Sequence, residues 1–534
     1  MASDDALASK AGAEVLARGG NAADAAAATL LALGVASPAS SGLGGGGFAL
    51  YYRARDRTVW FVDFRERAPA AATATMFRDD APREGAGPAS RPSQLGGLAT
   101  GVPGEPAGVE ALVMRFGTLP LDAVAAPAIR LATEGVVLAP YVANLSATFS
   151  AQMRRDPLLR RIARAAATGA RLRQPELART LRAFAKQGRR AIYSGPVARA
   201  IVAANRRRGG VLTLDDLERY RALGRRPLSG RAFGFRWFTA PPPSAGGFTL
   251  LSSLRVLERI PAASRALGVG RLHALAESWK GPFADRARYF GDPDFVDIPL
   301  AALGAPARIA RRAALFDPDR ARPAADYALP LSEPSPAPAL QREHGTSHLC
   351  VVDAEGNVAS VTTTVNLPFG ARYTAAGIVL NDEMDDFASA VGETNAFGLV
   401  GGAQNLPGPR RRPVSTMSPT IVFRDGRPVL CAGGAGGSRI VTAVEQVALH
   451  VLVDGMTAGE AVAAPRIHEQ GPPGGLEVER SPALPDATID ALRALGHDVS
   501  VVDHLAVVQA IAIRSDGTLD AASDPRKGGA PAGR

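Results

Sequence analysis

The sequence predicts an α+β fold in which antiparallel strands are layered with helices. Three observations carry this. After Gly345 three pairs of alternating apolar segments turn back on themselves around A-E-G, D-G and D-G: S-H-L-C-V-V-D with N-V-A-S-V-T-T-T-V, P-T-I-V-F-R with P-V-L-C-A, and Q-A-I-A-I-R with L-D-A-A-S. A strongly apolar helix, residues 438–453, stands between the second and third hairpins. The part before Gly345 reads mainly as helices, with one early hairpin.

In chain order, residues 6–18 read as a helix stopped by Gly19-Gly20. Asn21 caps a second helix, with Asp24 three residues on as in a capping box. After S-S-G-L-G-G-G-G-F comes the hairpin F-A-L-Y-Y with T-V-W-F-V-D. Residues 105–321 read mostly as short amphipathic helices broken by Pro and Gly, including P-P-P-S-A-G-G at 241–247. Residues 322–341, rich in Pro, Ala and Ser and without periodicity, read as an exposed linker.

Composition removes several classes. With 46% hydrophobic and 21% charged residues the chain is globular, not disordered, collagenous or coiled-coil. Only four of its 61 basic residues are lysines (Lys10, Lys186, Lys280 and Lys527). Its arginine clusters, at 154–155, 160–161, 206–208 and 410–412, are short, scattered and poor in aromatic neighbours. That pattern fits the codon bias of a GC-rich genome, and no nucleic acid is expected as partner. Two cysteines exclude a disulfide scaffold and a cysteine-rich zinc module; Cys350 and Cys431 sit in apolar strand-like runs and are expected as buried free thiols, one bridge being the alternative. No apolar run reaches the ~18 residues of a membrane span. The nearest, residues 25–36, is abutted by Asp24 and capped as a helix, so it is expected to be buried and not an export signal. As written, the chain is expected in the cytoplasm; loss of an upstream segment would leave its compartment open.

Gly42-Leu-Gly44-Gly-Gly-Gly47, with Asp63 about 20 residues on, matches a dinucleotide fingerprint. The context is wrong, because the run follows a helix and opens a hairpin. There is no P-loop, no G-x-S-x-G and no H-E-x-x-H. His344 and His348, about 13 Å apart on a strand, are too distant to share a zinc. No metal and no cofactor are expected.

The junction Gly345-Thr346 is the chemical candidate. A linker ends in a small residue, and a threonine opens a strand. A threonine that becomes an N-terminus carries a hydroxyl nucleophile and, in its α-amine (ordinarily of pKa ~7.7–8.0), its own base. Taken alone, it reads as an ordinary threonine before a strand. A second segment shifts the balance: C-A-G-G-A-G-G-S-R enters the later helix, so Gly436 and Gly437 stand where free N–H groups and the positive helix end make an oxyanion hole.

With these residues in place, T-S-H-L-C-V-V-D, V-T-T-T-V-N-L-P-F-G, L-N-D-E-M-D-D-F, R-P-V-S-T-M-S-P-T-I-V and G-A-G-G-S-R-I resemble the small subunit of γ-glutamyltransferases, the glutathione hydrolases. G-G-N-A-A-D-A-A-A-A, G-L-G-G-G-G-F, D-F-R-E, V-P-G-E-x-x-G, P-P-P-S-A-G-G and Y-F-G-D-P-D-F resemble the large subunit, so the likeness runs from about residue 7 to 526. The resemblance implies an N-terminal-nucleophile hydrolase, an αββα sandwich. It implies a precursor that cuts itself between Gly345 and Thr346 into a large subunit, 1–345, and a small subunit, 346–534, which stay together as a heterodimer, both supplying strands. It implies Thr346 as nucleophile, Thr364 as the threonine bonded to it, and Gly436 and Gly437 as oxyanion donors. Arg65, Ser415 and Thr416 would hold the substrate α-carboxylate, and Asn366, Glu383 and Asp386 its α-amine. The implied substrates are glutathione or other γ-glutamyl compounds, with water or an amino acid or dipeptide as acceptor. A glutaryl-cephalosporin-type acylase, or a member acting on poly-γ-glutamate, is the alternative on the same fold. The resemblance also implies a periplasmic or secreted protein if a leader has been lost. Three positions depart from the family pattern. Ser347 replaces a common second threonine; Phe397 takes the place of a lid tyrosine, costing a hydroxyl contact while the lid still closes; the strand before the first helix is short or missing.

Overall fold

The structure is a computed structural model that describes residues 1–78, 90–261, 266–331, 345–472 and 474–533. Among these, twelve strands build two six-stranded antiparallel sheets. In chain order they are β1 (Ala2–Ser3), β2 (Gly46–Arg53), β3 (Thr58–Phe64), β4 (Leu223–Arg225), β5 (Leu228–Ala232), β6 (Phe235–Thr239), β7 (Gly345–Val352), β8 (Val358–Asn366), β9 (Thr420–Arg424), β10 (Arg427–Ala435), β11 (Val507–Ile513) and β12 (Leu519–Ala522). The first sheet runs β1-β7-β8-β2-β3-β4 and the second β12-β11-β10-β9-β6-β5. Both sheets therefore contain strands from either side of Gly345.

The alternation of β2 shows how the layers form. Phe48, Leu50 and Tyr52 join the core between the sheets, while Ala49 and Tyr51 face the helices Ala6–Ala17, Ala22–Ala36 and Glu105–Phe116. Helix Ala22–Ala36 is apolar almost all round and nearly wholly buried, which is where such a helix must go. Its N-terminus carries the expected capping box of Asn21 and Asp24. Helices Gly246–Leu257 and Ile440–Leu452 cover the second sheet. Helix, sheet, sheet, helix is the αββα layering expected from the resemblance.

The glycine run after the second helix serves backbone packing. A Cβ on Gly44 would stand 1.9 Å from the Val379 carbonyl oxygen, and one on Gly45 1.9 Å from that of Thr364. Only glycine lets this segment lie directly against β8 at Thr364.

Several expectations need correction. Cys350 of β7 and Cys431 of β10 are joined in a disulfide, not free; their Cα atoms are 6.0 Å apart. Strand patterns do not reveal that these two strands face each other across the sheets. Residues 105–321 are mostly short helices, as expected, but β4, β5 and β6 in residues 223–239 were not among the expected strands. Of the expected linker, residues 324–328 form a helix with Tyr327 buried, its hydroxyl 2.7 Å from Glu277; 332–341, like His344, lie outside the described residues. Also unforeseen is a small three-stranded sheet of Ile467–His468, Leu476–Glu479 and Val499–Val502, its last two strands parallel. No helix among the described residues is long and apolar enough to cross a membrane.

Candidate active site

Thr346 lies in β7, its side chain on the same face as His348 and Cys350, the face turned toward the second sheet. The pairing with β8 slips at this point: Gly345 stands opposite Asn366 and Thr346 opposite Thr364, leaving Val365 unpaired. A bulge thus falls at the Gly345–Thr346 peptide, as bulges do where a side chain is re-aimed. Gly345 has no room for a side chain, since a Cβ would meet the Leu367 carbonyl at 2.6 Å.

The bulge gathers three groups. The Thr346 and Thr364 hydroxyl oxygens are 3.0 Å apart. The Thr364 hydroxyl donates to the Gly345 carbonyl oxygen at 2.9 Å and accepts from the Asn366 N–H at 2.8 Å. With its donor so committed, Thr364 accepts from Thr346, and the Gly345 carbonyl is polarised beside the hydroxyl that would attack it. Below Thr346, His348 is buried with Nδ1 2.8 Å from the Thr362 hydroxyl, and burial pushes its pKa down to about 3, so it is neutral.

Gly436 and Gly437 follow β10 and begin the helical run that continues through Ile440–Leu452. Both have positive φ, 145° and 58°. The first N–H groups of such a run lack intrahelical acceptors and face the incoming chain. The Thr416 hydroxyl donates to the Gly437 carbonyl at 2.8 Å, tying the Ser415-Thr416 segment to this turn. Phe397, buried, lies over Gly437, where a Cβ would come within 2.4 Å of its ring. Gln470 donates to the Gly398 carbonyl and Arg286 to that of Val400, at 3.2 and 2.7 Å, so the segment expected as the lid is held here without a tyrosine hydroxyl. Gly437→Ala keeps the N–H but pushes it aside against Phe397, and is expected to lower kcat by up to about 10²–10³ if that N–H serves as an oxyanion donor; steady-state kinetics on protein shown to fold checks this.

Arg65, Glu383 and Asp386 form a second, charged cluster. The Arg65 guanidinium pairs with Glu383 and, at 2.5 Å, with Asp386; Glu66 stands at 3.8 Å. Its remaining donors reach the Pro413 and Val414 carbonyls, beside Ser415, and the Tyr220 hydroxyl holds its own carbonyl at 2.6 Å. Burial alone would lower the guanidinium pKa, but Glu383, Asp386 and Glu66 outweigh it and raise it. Burial pushes the Glu383 carboxyl up to about 8, with Arg65 pulling it down and Asp386 pushing it up. Burial also drives Glu66 well above the carboxylate range, with Glu383 adding to it. The two clusters are bonded to each other: the Asn366 amide donates to the Asp382 carbonyl at 3.0 Å, next to Glu383. Ser415 does not reach Arg65 with its hydroxyl, which accepts from the Met417 N–H at 3.1 Å.

Four neighbours were not foreseen. Asn395 donates to Asp386 at 2.8 Å, linking lid to charge cluster. Gln470 steadies the lid as described. Lys527 donates to the Thr346 carbonyl oxygen at 2.6 Å, and Asp4 accepts from Lys527 at 2.6 Å. One signal was available: Lys527 is one of four lysines in an arginine-rich chain. A cavity of about 630 Å³, lined among others by Phe283, Arg286, Val400 and Gln470, lies behind the lid; none of the residues expected in the site lines it. Among the described residues, His273, Glu277 and His497 bring possible metal-ligand atoms within 4.8 Å of one another. They belong to a different network, His273 Nδ1 to His497 Nε2 at 2.7 Å and the Glu277 carboxylate bonded to Lys280 and Tyr327.

The family model described as Gamma-glutamyltranspeptidase matches residues 8–534. The glutathione hydrolase proenzyme of Escherichia coli is 38% identical over 535 residues, covering 98% of this chain and 90% of that protein. Among solved structures, cephalosporin acylase from Bacillus halodurans superposes with a TM-score of 0.85 at 26% identity, covering 100% of this chain and 95% of the other. Gamma-glutamyltranspeptidase from Pseudomonas nitroreducens gives 0.53 at 35% identity, covering 60% of this chain and 95% of the other.

Proposed function

The chain belongs to the γ-glutamyltranspeptidase family, and from that premise we propose that Thr346 first cuts the chain and then carries the γ-glutamyl group. The protein is an N-terminal-nucleophile enzyme that transfers or hydrolyses γ-glutamyl groups. In the first reaction the Thr346 hydroxyl attacks the Gly345 carbonyl, the Gly345–Thr346 C–N bond breaks, and the nitrogen leaves as the free α-amine of Thr346. Water then hydrolyses the resulting ester, leaving a carboxylate on Gly345. Residues 1–345 and 346–534 remain together, because their strands share both sheets.

In the second reaction the freed amine takes the Thr346 hydroxyl proton as oxygen attacks the γ-carbonyl of glutathione or another γ-glutamyl compound. Gly436 and Gly437 N–H groups meet the oxyanion. The amine returns the proton to the leaving amine, and water or the amine of an amino acid or dipeptide releases the ester. The Arg65–Glu383–Asp386 cluster carries the substrate assignment. A γ-glutamyl head is a zwitterion, and this site holds one guanidinium already paired with two carboxyl groups. The head group replaces pairs that exist without it, its carboxylate on Arg65 and its ammonium on Glu383 and Asp386.

Acceptor-dependent kinetics with a γ-glutamyl anilide test this reading. Release of aniline, rising with added amino acid or dipeptide, is expected; release from glutaryl anilide alone would select the acylase reading, which the likeness to cephalosporin acylase supports less than the family model and the glutathione hydrolase relatives support the main one. Arg65→Lys keeps the charge and loses the two-pronged geometry. It is expected to cost about 1.5–3 kcal/mol in kcat/KM, the scale of one charged hydrogen bond, while self-cleavage proceeds. Loss of cleavage together with activity would assign Arg65 to folding instead.

A further inference from the structure

We propose that Lys527, oriented by Asp4, is a positioning residue that keeps the freed α-amine of Thr346 unprotonated, and so free to take the hydroxyl proton, near neutral pH. This rests on the reading of Thr346 as an N-terminal nucleophile and adds what tunes its base.

Lys527 is almost fully buried, and its ammonium touches the nucleophilic residue itself. Nζ donates to the Thr346 carbonyl oxygen at 2.6 Å and to the Ser347 hydroxyl at 3.3 Å. Its third partner is the Asp4 carboxylate at 2.6 Å, whose other oxygen accepts from the Gln509 amide at 2.7 Å. The pair thus puts its positive end on Thr346, with Asp4 held between Lys527 and Gln509. In an extended residue the carbonyl oxygen lies about 3 Å from the residue's own nitrogen, so Nζ falls within about 6 Å of the amine. A like charge at that range disfavours the protonated amine, by about 1–3 pH units when unopposed; Asp4 opposes it, leaving a net effect of about one.

Asp5 also faces Lys527, its carboxylate accepting from the Leu7 and Ala8 N–H groups at 2.8 and 3.2 Å at the start of helix Ala6–Ala17, and the Tyr141 ring lies 5.0 Å from Nζ. The remaining titratable groups around Thr346 have partners within their own clusters. Asp382, beside Leu367, faces Arg372 at 3.3 Å; Glu105 takes the Thr363 hydroxyl on the other face of β8; Arg65 has Glu66, Glu383 and Asp386; and His348 beneath is neutral. Lys527 is the cation whose hydrogen bonds end on Thr346. The two partners lie 523 positions apart, so the pair also ties both ends of the chain to the nucleophile.

The acid limb of the pH profile of kcat/KM for a γ-glutamyl anilide reports the amine. Lys527→Gln is expected to move that limb up by about one pH unit, and Asp4→Asn, which removes the opposing charge, to move it down. Lys527→Arg should leave it within a few tenths of wild type. Intact mass on each variant establishes that Thr346 has been freed. A Lys527→Gln enzyme slowed equally at every pH, with its acid limb unmoved, overturns the proposal. If Lys527→Gln is not cut, Asp4→Asn decides alone, a downward shift supporting the proposal and an unmoved limb overturning it. A wild-type chain that is neither cut at Thr346 nor active would instead remove the nucleophile reading on which the proposal stands.

Discussion

Thr346→Ala is expected to yield a single full-length chain with no γ-glutamyl hydrolysis above background, whereas Thr346→Ser still cuts. Both reactions need one hydroxyl at one place. The Thr346 oxygen sits 3.0 Å from that of Thr364, which in turn donates to the Gly345 carbonyl at 2.9 Å. Alanine leaves that carbonyl polarised with nothing to attack it, so the base, the α-amine, is never released. The loss is therefore total, not a fractional fall in rate. Serine keeps the oxygen and gives up the methyl that fixes its rotamer, so it is expected to cut more slowly. Denaturing gels show one band for alanine and two for serine. Hydrolysis by the alanine protein would assign the nucleophile to another residue.

The second large effect is on substrate choice. A γ-glutamyl and a glutaryl group share the scissile carbonyl, the methylenes and the terminal carboxylate, and differ by one ammonium. A site built to bond that ammonium leaves a carboxylate unmatched when glutaryl binds, and such sites reject the lacking analogue by ~10⁴–10⁵. Asp386 is the carboxylate best placed to decide this. One oxygen is 2.5 Å from Arg65, the other accepts from Asn395 of the lid at 2.8 Å, and the side chain is 10% exposed where Glu383 is 1%. Wild type is expected to prefer γ-glutamyl over glutaryl anilide strongly. Asp386→Asn is expected to lower kcat/KM for the first and narrow the ratio, with cleavage at Thr346 intact. An unchanged ratio would take Asp386 out of the site and restore the acylase reading.

What was legible in the sequence follows physical range. The three late hairpins, the helix over the second sheet, the Asn21 capping box and the Gly436–Gly437 turn each depend on neighbours a few residues away, and each is found where its local pattern put it. The residues around the charged cluster came from motifs of a resembled family, and Arg65, Glu383 and Asp386 do meet in space. Their pairing with one another was not foreseen, because roles had been divided between carboxylate and amine as if the site were already filled. The disulfide stood only as the alternative to free thiols, because it joins strands in different sheets whose facing no local pattern encodes. Strands β5 and β6, L-S-G-R-A and F-R-W-F-T, each carry one exposed arginine and are too short for a clear period. Lys527 and Asp4 meet only once the sandwich has brought the ends of the chain to β7, and no local pattern encodes that.

The central claim is that Thr346 becomes an N-terminus, and intact mass with N-terminal sequencing of the purified protein tests it most directly. Two polypeptides are expected, residues 1–345 and 346–534, the second beginning Thr-Ser-His-Leu. A single full-length species in an active preparation, or a new N-terminus at any residue other than Thr346, would contradict it.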